Sequence, residues 1–235
     1  MKVLALDSSG LVASVALLED ETMIAEYTVN YKKTHSQTLL PMLDEIVRMT
    51  EQDLNTIDAI AVAAGPGSFT GLRIGSATAK GLAQALEKPI ISVPTVDALA
   101  YNLYGTHEII CPIMDARRNQ VYTGIYEFVE NKFTVLHEQY VDSIEHVIIQ
   151  LNEKKRPVIF IGDGIPPYAS IIEEQIQVPF SFAPSHLCRQ RAAAVGNLAM
   201  KQYGMTAAEH AADHKPEYLR LSQAERERAE QERSK

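Results

Sequence analysis

The chain has no tryptophan and only two cysteines, Cys111 and Cys188, among its 235 residues. Two thiols without metal-type spacing are expected to be free and buried. Long hydrophobic runs are missing as well. No apolar stretch is long enough to cross a bilayer, and Asp7 interrupts the apolar start Val3-Leu-Ala-Leu6 with no cleavage site after it. A cytoplasmic protein is therefore expected. Positive charge is scarce: 22 Lys and Arg stand against 30 Asp and Glu, a net charge of −8, which argues against a broad nucleic-acid footprint on this chain by itself. The seven histidines are scattered, and His210 and His214, four apart, read as a surface pair rather than a metal site. His35 opens a helix, but one turn on stands Leu39, so a helix-borne metal site lacks its second ligand. No residue is assigned a metal or a catalytic role.

What the chain does have is a 46% hydrophobic content, enough for one large or two small domains with real cores. Its most informative stretch is Gly65-Pro-Gly-Ser-Phe-Thr-Gly-Leu-Arg-Ile-Gly75, which follows the apolar run from Ile57 to Ala64. This reads as a buried strand, a tight turn and a helix capped at Ser68 or Thr70. Such a junction gathers backbone N–H groups at one helix N-terminus and suits an anion such as phosphate. No Gly-Lys-Ser/Thr follows, so it is not a Walker loop, and the glycine spacing is not that of a dinucleotide fold. A tight turn leading into a closely packed helix is the competing explanation.

Val3–Asp7 and Ala13–Leu18 read as a hairpin with Asp7 at its tip, followed by strand Met23–Val29, helix His35–Met49, strand Ile57–Ala64, helix Gly71–Leu86, strand Pro89–Val93 and helix Val96–Tyr104. After a linker at 105–108 the pattern restarts with strand Ile109–Asp115, turn Ala116–Gln120 and strand Val121–Tyr126. Strand Phe133–Tyr140, helix Ile144–Leu151 and the strand leading into Gly162-Asp-Gly164 complete it. Two hairpin-led α/β units, each with an Asp at its first turn, form the layout of the actin/hexokinase/Hsp70-like ATPase fold. The expected division is 1–104, 105–221 and a charged tail at 222–235, read as a fraying helix or disorder. Candidate nucleotide-cleft residues are Asp7, Ser8, Ser9, Gly65, Gly67, Ser68, Thr70, Asp115, Gly162 and Gly164. Asp7 can hold Mg²⁺ through water or merely close its hairpin by Asx-type bonds. At the second turn Arg117 and Arg118 stand where small residues are expected; they can clamp phosphate or fill the cleft. Gly162 and Gly164 can approach an adenosine or form a strand-end turn.

Both long helices carry apolar residues beyond a single stripe. On the first these include Leu39, Leu43, Ile46 and Val47. On the second they are Leu72 and Leu82, beside a small-residue groove of Gly71, Gly75 and Ala79. A helix apolar on several sides needs covering on more than one. Either a thick core or a protein–protein interface meets that need, and these nine residues are the interface candidates.

Leu4-Ala-Leu-Asp-Ser-Ser9, Gly65–Gly75, Asp115-Ala-Arg-Arg-Asn-Gln-Val-Tyr122 and Pro216-Glu-Tyr-Leu-Arg220 occur in the order found in bacterial TsaB, also called YeaZ. The chain resembles that family from Met1 to about Arg220. The resemblance implies an actin-like ATPase fold and a paralogue of TsaD, the subunit that transfers threonylcarbamoyl to the adenosine beside the anticodon of tRNA. It implies a homodimer that exchanges for a heterodimer with TsaD on one surface, with the small ATPase TsaE in the larger complex and tRNA met through that complex. It also implies no cofactor held by this chain alone, with ATP or ADP and Mg²⁺ belonging to the complex with TsaD. Rival expectations are an autonomous ATPase or small-molecule kinase, a metallopeptidase, and a purely structural dimer.

Overall fold

The computed structural model describes residues 1–31 and 33–220, and the charged tail of the sequence reading, 222–235, lies outside them. Strands β1 (Lys2–Asp7), β2 (Ala13–Glu19) and β3 (Thr22–Val29) form an antiparallel meander. Helix α1 (His35–Thr50) then returns the chain to β4 (Ala59–Gly65), which lies parallel to β1. Helix α2 (Phe69–Leu86) leads to β5 (Ile90–Pro94), parallel to β4, and α3 (Thr95–Tyr101) follows. The second unit repeats this with β6 (Ile109–Asp115), β7 (Gln120–Val129), β8 (Lys132–Ser143), α4 (Ile144–Lys154), β9 (Val158–Ile161), α5 (Ile165–Gln175) and β10 (Phe180–Phe182). The sheet orders β5-β4-β1-β2-β3 and β10-β9-β6-β7-β8 match strand for strand, as do their parallel and antiparallel pairings. The duplication read from the sequence is thus present in the topology.

The central strands are apolar along their length because both faces are covered. On β1, Leu4 and Leu6 face the α1–α2 layer, while Val3 and Ala5 face the opposite side with Ala98 of α3. On β6, Ile109, Cys111 and Ile113 join the α4–α5 core, and Ile110 and Met114 pack with Val96, Leu99, Ala100 and Leu103 of the α3 region. Helix α3 therefore serves both sheets. Asp97 on α3 ties the units further by accepting hydrogen bonds from Tyr126 of β7 (2.8 Å) and Tyr203 (3.1 Å).

The expected domain division needs correction. Helix α6 (Ala192–Leu198) packs Ala192, Val195 and Leu198 against Val3, Ala5 and Ala16, and β11 (Ala208–Glu209) adds antiparallel to β5 through Ala208 opposite Ile91. The chain returns to the first unit after building the second. Buried His214 belongs to this return: its Nδ1 lies 2.8 Å from Ser92 Oγ and 3.0 Å from Glu209 Oε1, so the surface-pair reading of His210 and His214 fails.

Candidate functional site

Asp7 ends β1 and its carboxylate is almost wholly buried (1% exposed). Its Oδ1 accepts hydrogen bonds from the Ser9 N–H (2.9 Å) and the Ser9 hydroxyl (2.7 Å). This is the Asx-type closure of the hairpin. Oδ2 is buried and has no hydrogen-bond partner. Burial pushes the Asp7 carboxyl up to about 6, against the opposing pull of the two Ser9 bonds.

The Gly65–Gly75 stretch lies directly on this hairpin turn. Ser68 N–H donates to Ser9 O (2.7 Å), and Ser8 Oγ donates to Gly71 O (2.9 Å). A Cβ at Gly67 would lie 2.3 Å from Ser9 O, one at Gly71 2.1 Å from Ser8 O, and one at Gly75 2.3 Å from Ser8 Oγ. These glycines make room for the chain's own serines, not for a phosphate. Ser68 caps α2 by accepting from Gly71 N–H (3.3 Å), which places Thr70 inside the first turn and not at the cap. The loop is a packed junction of the tight-turn kind, one of the two readings its spacing allows.

The second turn copies the first in outline. Asp115 Oδ1 accepts from Arg117 N–H (2.8 Å), the same i to i+2 bond, but Asp115 also pairs with the exposed Arg117 guanidinium at 3.3 Å. Arg117, Arg118 and Asn119 all adopt left-handed backbone conformations, with φ of 65°, 57° and 57°. Gly162 and Gly164 form a strand-end turn. Gly164 N–H donates to Ile113 O (2.9 Å), and a Cβ at Gly162 would lie 2.1 Å from that oxygen. Between them Asp163 accepts from Asp115 N–H (3.2 Å), and burial raises its carboxyl pKa.

The interface candidates mostly face inward. Leu39, Leu43, Ile46, Leu72 and Ala79 are buried, and all but Leu72 share one cluster with Leu4, Leu6 and Val62. Val47 and Leu82 are half-buried against the same cluster. Gly71 and Gly75 seat Ser8, so the small-residue groove is an internal contact. The exposed positions are instead Leu40, Pro41, Asp44, Arg48 and Met49 on α1, and Arg73, Ala77, Gly81, Gln84 and Ala85 on α2.

Two groupings escaped the sequence reading. Ser92, Glu209 and His214 form a hydrogen-bonded cluster, signalled only by one polar residue inside the apolar run of β5. Ser92 and Glu209 both meet His214 at Nδ1, and Nε2 is buried without a partner, so this is not a serine–histidine–acid relay. The other is the contact of residues 216–220 with both units. Cys188 is only partly buried, whereas burial pushes the Cys111 thiol up to about 12. Among the described residues no three His, Cys, Asp or Glu side chains are placed to hold a metal, and no helix is long and apolar enough to cross a membrane.

The duplicated sheets, each with an Asp at its first turn, define an α/β protein of the actin/hexokinase/Hsp70-like ATPase fold. EutJ from Carboxydothermus hydrogenoformans shares that fold at a TM-score of 0.51 and 12% identity, over 83% of this chain and 89% of its own. A family model described as "TsaD: tRNA N6-adenosine threonylcarbamoyltransferase" matches residues 22–228. The tRNA threonylcarbamoyladenosine biosynthesis protein TsaB of Bacillus subtilis is 35% identical over 96% of both chains. Its counterpart in Haemophilus influenzae is 35% identical over 75% of this chain and 78% of its own. YeaZ from Pseudomonas aeruginosa superposes with a TM-score of 0.80 at 30% identity, covering 93% of this chain and 99% of that one. The chain belongs to the TsaB family.

Proposed function

We propose that this chain is a non-catalytic subunit of tRNA threonylcarbamoyladenosine synthesis. It pairs with TsaD, which carries out transfer to the adenosine beside the anticodon. The observation that carries this reading is the sealed Asp7 turn. Ser8 and Ser9 fill the loop at Gly67–Gly75, where a working phosphate site needs open backbone N–H groups. A cleft closed in this way suits a subunit retained for its surface.

That surface is the exposed side of α1 and α2. Leu40, Pro41 and Met49 are exposed apolar groups, and Ala77, Gly81 and Ala85 are small enough for a partner helix to approach closely. The same surface serves a homodimer and, by exchange, the heterodimer with TsaD. TsaE joins the larger complex, ATP or ADP with Mg²⁺ is held together with TsaD, and tRNA is met through the complex in the cytoplasm. A net charge of −8 suits a subunit whose partner makes most of the RNA contact.

One observation favours the ATPase or small-molecule kinase alternative: Asp7 Oδ2 is buried and has no hydrogen-bond partner. A single experiment separates the two. Purified TsaD and TsaE are assayed for threonylcarbamoyl transfer to tRNA with and without this chain, and ATP turnover by this chain alone is followed in parallel. Transfer that appears only on mixing, with negligible turnover alone, supports the partner reading. Turnover alone that is lost in Asp7→Ala, with no effect on transfer, overturns it.

A further inference from the structure

The short segment Pro216–Arg220 touches the two units alternately. Glu217 N–H donates to Ala64 O (2.7 Å) at the end of β4. Its carbonyl oxygen lies where a Cβ on Gly65 would come within 2.2 Å, and Gly65 has φ +121°, so only glycine accepts both the backbone angle and the contact. The Glu217 side chain reaches the other unit, accepting from Gln139 Nε2 of β8 at 2.8 Å. Tyr218 turns back to the first unit and packs its ring 4.6 Å from that of Phe69, the first residue of α2, over which the Arg73 guanidinium sits at 4.0 Å. Arg220 then crosses again, donating through one guanidinium nitrogen to the carbonyls of Ala116 and Arg117.

Three residues of chain span at most about 11 Å, so Glu217 and Arg220 hold the end of β4 close to the β6–β7 turn. That turn needs holding. Three successive non-glycine residues in left-handed conformation are unfavourable by themselves, and such backbone persists only where its surroundings fix it. The planar guanidinium suits this task because its several N–H donors keep a fixed geometry.

We propose that residues 216–220 are a latch that joins the two units and fixes the 116–119 turn, so that release on either side loosens the other. This inference rests on contacts within the chain and is independent of the TsaD reading.

Amide hydrogen exchange on the full chain tests it through effects that pass from one unit to the other. Tyr218→Ala removes the ring contact with Phe69 of the first unit, yet it is expected to speed exchange at Ala116 and Gln120 about tenfold. Arg220→Ala, altered on the opposite side, is expected to speed exchange at the Glu217 amide to a similar degree. Amides of α4 stay unchanged in both and report that the fold is intact. If α4 is also exposed, the milder Arg220→Lys, which keeps the charge without the guanidinium, is read by the same criterion of an effect on the opposite unit. Effects confined to the side of each substitution would overturn the latch.

Discussion

Replacing Asp7 by asparagine isolates the effect of one buried charge. The carboxamide keeps an oxygen in the Oδ1 position, so the bonds from Ser9 N–H and Ser9 Oγ persist. It removes the ionisation that burial opposes. The folded-state value lies above the ordinary one, 3.8 against about 6, so the contribution of Asp7 to stability is fully present below 3.8 and is lost as pH rises through 6. That displacement is worth about 3 kcal/mol between the two limits. Unfolding of wild type and Asp7→Asn by urea, compared from about pH 4 to pH 8, measures the difference without interference from the other carboxylates, which are common to both proteins. Asp7→Asn should gain on wild type progressively through the window and level off above about pH 7, by up to about 3 kcal/mol. The constant part of the difference is not diagnostic, because the new amide NH₂ also faces the unpartnered Oδ2 position. A difference that stays flat across the whole range would refute the reasoning, since the charge would then carry no burial penalty.

The glycines give a paired prediction. Gly71→Ala, with its Cβ 2.1 Å from Ser8 O, should destabilise by several kcal/mol, whereas Gly81→Ala, with nothing within 4 Å, should stabilise by up to about 1 kcal/mol through helix propensity. Thermal melts of both variants check the sign, and equal shifts would refute the packing assigned to Gly71. At the proposed interface, Ala77→Glu and Gly81→Arg should abolish self-association and TsaD binding in sedimentation while leaving the fold intact by circular dichroism. Leu43→Glu and Ala79→Arg should instead unfold the chain, because each places an unpaired charge in the core at a cost of several kcal/mol. His214→Ala removes a buried partner of Ser92 and Glu209 and should cost about 1–3 kcal/mol in urea unfolding; a neutral result would show that the cluster does not hold the returning chain.

The parts of the fold that were legible in the sequence are those whose signal is local. Strands β1, β4 and β6 are apolar runs, and each ends in a turn marked by Asp or Gly, so the repeated hairpin could be read directly. The return to the first unit was not legible for a physical reason. Helix α6 is seven residues long and built of small side chains, and β11 is two residues long, too short for any periodicity; both are specified by distant partners. The wide apolar face of α1 is legible in the sequence, and of its two explanations, a thick core or an interface, the core accounts for Leu39, Leu43 and Ile46. Leu39, Leu43 and Ile46 meet the sheet and α2 at once, so one chain's own core already explains a wide apolar face. The groove of Gly71 and Gly75 was likewise a true close-approach signal whose occupant, Ser8, lies 63 residues away from Gly71 in sequence.

The two turns show how far equal geometry can separate from equal chemistry. In both copies an Asp at the end of the first strand accepts a bond from the N–H two residues on, at 2.9 Å and 2.8 Å. What surrounds that bond differs completely. At Asp7 the carboxylate is buried beside the glycine-rich junction, and burial raises its pKa against the opposing pull of the Ser9 hydroxyl bond. At Asp115 an exposed guanidinium pairs with the carboxylate, and the turn is pinned by Arg220 from the other end of the chain. One copy is sealed by small residues that admit the backbone, and the other is held by long side chains that reach across to it. Motif spacing records the shared hydrogen bond but not what packs against it. A site on this fold therefore has to be judged by the occupants of its turns, and here both turns are occupied by the chain itself.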